Sequence, residues 1–263
     1  MRDAATRPLE GQGIMVTRPV PLDQTLRRMI ATAGGRAIPF PVLEILAPRD
    51  PQRASALMRR LGEFHMAVFV SRNAVQGALD LLHSQGLALP GGLRLAAIGR
   101  ATAAALERAG YPVHIVPDQA YSSEALLAEA PMRDLGGQRV MILRGEGGRT
   151  VLGEQLRGRG AQVVYAELYR RGLPDLTPDD VRNAFLSQPL HLITVTSGEA
   201  LKNLCVLARR GPIRELYDYP LLTGGPRVAG LAAEAGFQRV LCARDPSDQA
   251  MLQAIQDWAR EAR

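Results

Sequence analysis

Four short polar turns carry the side chains with the most chemical potential: Ser71-Arg72-Asn73, Gly99-Arg100, Arg144-Gly145 and Thr196-Ser197-Gly198. Each follows an apolar run and opens a segment with helical spacing. The free N–H groups and positive dipole end of a helix N-terminus favour anions there. Ser122-Ser123 and Gly225-Pro226 stand in similar settings, as does Arg18 after the apolar run ending at Thr17. Taken singly, each serine or threonine reads as an N-cap that satisfies a backbone donor. Several such turns together favour a polyanion held between helix starts.

Other chemistries fit less well. His65, His83, His114 and His191 are scattered, with no i,i+4 pair, so a metal site is not expected. No G-x-S-x-G elbow occurs, and Cys205 and Cys242 lie far apart without metal-ligand spacing. RGEGGR at 144–149 lacks the lysine of a P-loop and the spacing of a dinucleotide fingerprint. The formal charge of +6 favours acidic partners. Of the 32 basic residues, Lys202 is the single lysine. The N-terminus has no apolar h-region and no apolar run approaches the ~20 residues of a membrane span, so a cytoplasmic protein without membrane contact is expected.

The elements that must position these turns come in two copies. Residues 93–129 read as strand, glycine turn, helix, strand and serine-capped helix, the grammar of a parallel α/β sheet. Ser71, Gly99 and Gly110 recur 126 positions later as Ser197, Gly225 and Gly236, and Met15, Arg18 and Gly34 recur as Met141, Arg144 and Gly160. The offset slips by one near the end, where Ser122 matches Ser247. A constant offset over so many turns argues for a duplicated α/β domain. Strands are expected over Gly13–Thr17, Arg36–Phe40, Met66–Val70, Leu95–Ile98, Val113–Val116, Arg139–Leu143, from Gln162, and over His191–Val195, Leu221–Leu222 and Arg239–Ala243. The proline-rich stretch IPFPVLEILAP interrupts helix formation between the first two helices. The repeat alone suggests two sequential halves.

In order and spacing, VFVSRNAV (68–75), AAIGRATAAALERAG (96–110), SSEALL (122–127), VMILRGEGGRTVLGEQLRGRGAQVVYAELYRR (140–171) and VTSGEAL (195–201) resemble the uroporphyrinogen-III synthase family. The resemblance runs from about Ile14 to Trp258. It implies two similar flavodoxin-like parallel-sheet α/β domains joined by a two-stranded β connector, with a cleft between them. One domain would hold 1–38 plus 172–263 and the other 43–164, with connectors at about 39–42 and 165–171.

The implied reaction cyclises hydroxymethylbilane with loss of water and inversion of the last pyrrole ring through a spiro intermediate, without a cofactor. The substrate's eight carboxylates suit a basic site lined by helix starts. Carried over by position, Tyr169 is the expected catalytic residue. Arg18, Ser71, Arg72, Asn73, Gly99, Thr102, Ser122, Ser123, Arg144, Gly145, Thr196, Ser197 and Gly225 are the expected substrate-binding residues. Val70 stands where the family often has threonine, and Val228 where the second Gly-Pro-x-Thr-Ala turn has its threonine. The resemblance further implies a monomer that takes substrate from hydroxymethylbilane synthase and binds no nucleic acid. Two readings from other classes remain open on the residues: a non-catalytic module sensing a tetrapyrrole or another polyanion, and a solute receptor, which the missing signal peptide disfavours.

Overall fold

Apolar runs of four or fewer residues, separated by capped amphipathic helices, build two largely parallel sheets. The computed structural model describes residues 7–20, 22–118 and 122–261. The chain forms β1 (Gly13–Val16), α1 (Gln24–Thr32), β2 (Arg36–Pro39), β3 (Glu44–Leu46), α2 (Pro51–Arg59), β4 (Met66–Phe69), α3 (Arg72–Ser84), β5 (Arg94–Ala97), α4 (Arg100–Arg108) and α5 (Ser123–Ala128). It continues through β6 (Arg139–Gly145), α6 (Val151–Gly158), β7 (Gln162–Gly172), α7 (Pro178–Leu186), β8 (Leu192–Val195), α8 (Gly198–Arg210), β9 (Leu221–Thr223), α9 (Pro226–Glu234), β10 (Val240–Cys242) and α10 (Asp248–Glu261).

Contacts divide the chain into one unit of Met1–Glu44 with Gly172–Arg263 and a second of Ile45–Arg171. The first unit's sheet has the order β10-β9-β8-β1-β2, parallel throughout. The second has the order β3-β7-β6-β4-β5, parallel from β7 to β5. Each sheet therefore mixes the two sequence copies. The β1-α1-β2 segment of the first copy pairs with β8 to β10 of the second, and β6-α6-β7 of the second pairs with β4 and β5 of the first. In chain order the first unit reads 2-1-3-4-5, which places its topological switch between β1 and β8. The repeat-equivalent position in the second unit lies between β6 and β4.

Both faces of each sheet are covered. Met15, Ile193 and Val195 pack toward α7 and α8 on one side of the first sheet, while Ile14, Val16 and Leu222 meet α1 and α10 on the other. In the second unit Ala67, Phe69 and Leu143 face α2 and α3, and Met66, Val68 and Ile142 face α5 and α6. Continuous burial of β4 and β8 is what a strand covered on both faces requires.

Two details differ from the sequence expectation. The run Val113–Val116 makes a single parallel bridge, Ala96 to Ile115, in place of a strand. Pro112 and Pro117 bound it, and the His114 ring takes a backbone bond that a longer ladder would use: its Nδ1 accepts from Leu95 N–H at 3.1 Å. The long strand β7 also runs through residues 165–171, so the stretch expected as one strand of a β connector belongs to the second unit and its sheet.

His65 and His191, which are repeat equivalents, do the same work as each other. His65 Nδ1 accepts from Arg139 N–H and His191 Nδ1 from Gly13 N–H, both at 2.9 Å, at the starts of β6 and β1. Accepting through Nδ1, the two rings pin each exchanged strand at the sheet end away from the polar turns. Among the described residues no His, Cys, Asp and Glu cluster could hold a metal ion, and no helix is long and apolar enough to cross a membrane.

Candidate active site

At the carboxyl ends of the second unit's strands, three neighbouring elements bring together residues far apart in sequence. Ser71 follows β4 and caps α3, its Oγ accepting from Ala74 N–H at 3.1 Å. Tyr169 lies near the end of β7, with β6 between the two strands. Its hydroxyl reaches Ser71 Oγ at 3.0 Å. Tyr169 is 6% exposed and belongs to the apolar cluster on the α2–α3 side.

Two backbone features aim this ring. The β6–β7 register shifts after the pair Arg144–Glu167, so that Gly145 lies opposite Tyr169 and Leu168 becomes an extra residue. Such a bulge breaks the alternation of the strand, and both Leu168 and Tyr169 turn inward while Glu167 stays exposed. Glu146 N–H then donates to Tyr169 C=O at 2.8 Å and closes the bulge. The second feature is the missing side chain of Gly145. A Cβ there would stand 2.7 Å from two ring carbons of Tyr169. The tyrosine crosses over β6 because glycine leaves the space.

The other expected residues of this unit sort by burial. Thr102 is buried in the first turn of α4, whose N-cap is the buried Gly99. Arg72 is exposed and Asn73 half-buried on the first turn of α3. Ser122 caps α5 through Ala125 N–H at 3.1 Å, with Ser123 as the first helical residue. Tyr121 lies outside the described residues.

Arg144, expected among the substrate-binding residues, bonds within its own loop. It is 6% exposed, and its guanidinium donates three bonds there. Nε donates to Gly145 C=O at 3.1 Å, Nη1 to Arg149 C=O at 3.2 Å and Nη2 to Gly148 C=O. The plane also lies over the Tyr165 ring at 4.8 Å, with Glu167 at 3.8 Å. The side chain holds the 145–149 turn in shape through three of its five N–H groups.

Its repeat equivalent in the first unit, Arg18, is turned inward as well. It pairs with Asp248 at the start of α10 and donates to Pro246 C=O. Ser197 caps α8 through Ala200 N–H at 3.1 Å, with half-buried Thr196 before it. Gly225 opens α9 at φ 151°, a conformation that excludes ordinary side chains. Sequence reasoning missed Asp248 as the partner of Arg18, and missed that Gly145 is a seat for the tyrosine. The pairing of a glycine with an aromatic on adjacent strands is the signal that bears on the second. Glu63, by contrast, stands at the opposite edge near the start of β6. Hydrogen bonds from Arg60 and then Arg139 lower its carboxyl to about 2.

The family profile described as "Uroporphyrinogen-III synthase HemD" matches residues 24–253. The chain belongs to the uroporphyrinogen-III synthase family. A relative of that name from Escherichia coli (strain K12) is 33% identical over 245 residues, covering 92% of this chain and 99% of the relative. Solved structures agree on the fold. A mutant uroporphyrinogen III synthase from Thermus thermophilus superposes with a TM-score of 0.59 at 20% identity, covering 96% of this chain and all of that one. The family's Helicobacter pylori 26695 structure also gives 0.59, at 18% identity over 94% of this chain and 99% of its own.

Proposed function

We propose that this lyase of tetrapyrrole biosynthesis converts hydroxymethylbilane to uroporphyrinogen III, with Tyr169 as the proton donor to the departing hydroxyl. The family membership supports the reaction. The observation that carries the residue assignment is the buried tyrosine hydroxyl, 3.0 Å from Ser71 Oγ at the strand ends. A phenol donates a hydrogen bond without bringing charge beside carboxylates. The hydroxyl leaves as water with the phenolic proton while the pyrrole nitrogen's electron pair expels it. The hydrogen released when the last pyrrole regains aromaticity returns the proton to the phenolate.

The remaining contribution is positioning. The easier cyclisation joins the unsubstituted carbon, and the inverted product requires attack from the substituted one to give a spiro intermediate, whose original methylene bond to that carbon then breaks and re-forms at the unsubstituted carbon. Holding the bilane in that fold converts an improbable geometry into an intramolecular attack. Helix-start N–H groups behind Gly99, Ser122, Ser123, Thr196, Ser197 and Gly225, with Thr102, Asn73 and the exposed Arg72, are the proposed carboxylate contacts. No cofactor enters the scheme. We take the protein to act in the cytoplasm as a monomer, receiving substrate from hydroxymethylbilane synthase. The two free cysteines suit a reducing compartment.

The decisive experiment supplies hydroxymethylbilane from a coupled enzyme and resolves the product isomers. Type III product is expected. Only the type I isomer, at the uncatalysed rate, would remove the assignment.

A further inference from the structure

We infer that Ser71 is a positioning residue that sets the direction of the Tyr169 proton, and not a substrate contact. This rests on the reading of Tyr169 as proton donor and adds what aims it. Ser71 Oγ already accepts from Ala74 N–H at 3.1 Å. Among the described residues its one other partner is the Tyr169 hydroxyl, at 3.0 Å. Either hydroxyl could be the donor at 3.0 Å, and we assign the serine's single proton to the phenol oxygen, the acceptor within reach. With Ser71 donating, the single phenolic proton must point away from Ser71, where a leaving hydroxyl can take it. The N–H pulling on Oγ polarises the serine O–H and strengthens that donation along the chain Ala74, Ser71, Tyr169.

The first unit separates this role from helix capping. Ser197 caps α8 with the same geometry, accepting from Ala200 N–H at 3.1 Å. The repeat equivalent of Tyr169 there is Leu43, which has no hydroxyl. A cap therefore forms without a tyrosine, and the bond to Tyr169 is an addition peculiar to the second unit. Gly145 completes the arrangement, since a Cβ at that position would stand 3.1 Å from the phenol oxygen as well as striking the ring.

The test is a kinetic cycle on the full chain with Ser71→Ala, Ser71→Gly, Ser71→Thr, Tyr169→Phe and Ser71→Ala/Tyr169→Phe. Glycine is tolerated at an N-cap nearly as well as serine, so Ser71→Gly removes the hydroxyl with little loss of stability. Ser71→Ala and Ser71→Gly are each expected to lower kcat about tenfold with KM nearly unchanged. Ser71→Thr keeps the hydroxyl and should restore most of the rate. In the Tyr169→Phe background, Ser71→Ala should change kcat less than twofold. Carbon-13 NMR of ring-labelled tyrosine gives a readout independent of turnover: the Tyr169 Cζ resonance should move in Ser71→Gly. Additive losses in the double variant, or an unmoved resonance, would overturn the inference while leaving Tyr169 as donor. A fully active Tyr169→Phe enzyme would instead overturn the donor reading itself, and the positioning role with it.

Discussion

The two units build the same sheet ends with opposite uses of polar side chains. In the first unit hydroxyls go inside. Thr17 donates to Thr194 C=O at 2.6 Å and Thr194 to Met15 C=O at 3.0 Å, lacing β1 to β8, and Thr223 bonds Leu241 C=O at 3.0 Å between β9 and β10. All three are at most 2% exposed. Their equivalents in the second unit are Leu143, Val68 and Ala97, which are apolar and equally buried. The second unit instead carries hydroxyls at Tyr169 and Thr102, where the first has Leu43 and Val228. Backbone carbonyls absorb the first unit's donors, whereas the second keeps a donor pair satisfied mainly by itself. The chemistry is accordingly expected in one unit, with the other serving as a matching scaffold.

The largest expected effect concerns which segments belong together. A fragment of residues 45–171 should melt cooperatively on its own, and a fragment of residues 1–136 should not, because it cuts both sheets. Calorimetry on the two fragments checks this, and a cooperative 1–136 would restore sequential halves. Next in size, Tyr169→Phe should lower kcat about 10²–10⁴-fold, the usual range for a lost general acid. Its Tm should stay near that of the parent, since the ring remains. Residual product should remain mostly type III, because the fold of the bilane depends on other contacts.

Smaller effects sharpen the contrast. Gly145→Ala puts a methyl into the Tyr169 ring, at a cost of about 1–3 kcal/mol in stability, and should slow turnover by displacing the phenol. Denaturant titration beside kcat measurement separates the two. Arg144→Ala removes three donors to backbone carbonyls, and a loss of about 2 kcal/mol is expected, with KM changed less than Tm. A raised KM at unchanged Tm would return Arg144 to the substrate. Smallest, Ser197→Ala should cost about 1 kcal/mol as a lost cap, with a smaller fall in kcat than Ser71→Ala.

Local signals made much of the fold legible. Serines before helical spacing mark caps because the unsatisfied N–H groups of a first turn need an oxygen, as Ser71, Ser122 and Ser197 each provide. Glycines such as Gly34, Gly110 and Gly160 end helices because the chain there takes positive φ, between 86° and 88° in all three. Short apolar runs read as buried parallel strands for the same local reason. Val113–Val116 is the exception, since periodicity takes no account of a histidine side chain that substitutes for a ladder bond.

The sequence by itself thus determined the elements, their parallel α/β grammar, the duplication and, through its resemblance, the family. Beyond what the resemblance implied, tertiary structure decided which copy's strands share a sheet, because pairing β1 with β8 joins residues about 180 apart and nothing local encodes it. It alone turned Arg18 and Arg144 inward, since an arginine's direction depends on whichever carbonyls and carboxylates the fold brings within reach. And it alone seated Tyr169 over Gly145 against Ser71. That contact needs a one-residue bulge in β7 and an intervening strand without a side chain, and both are properties of neighbours in space.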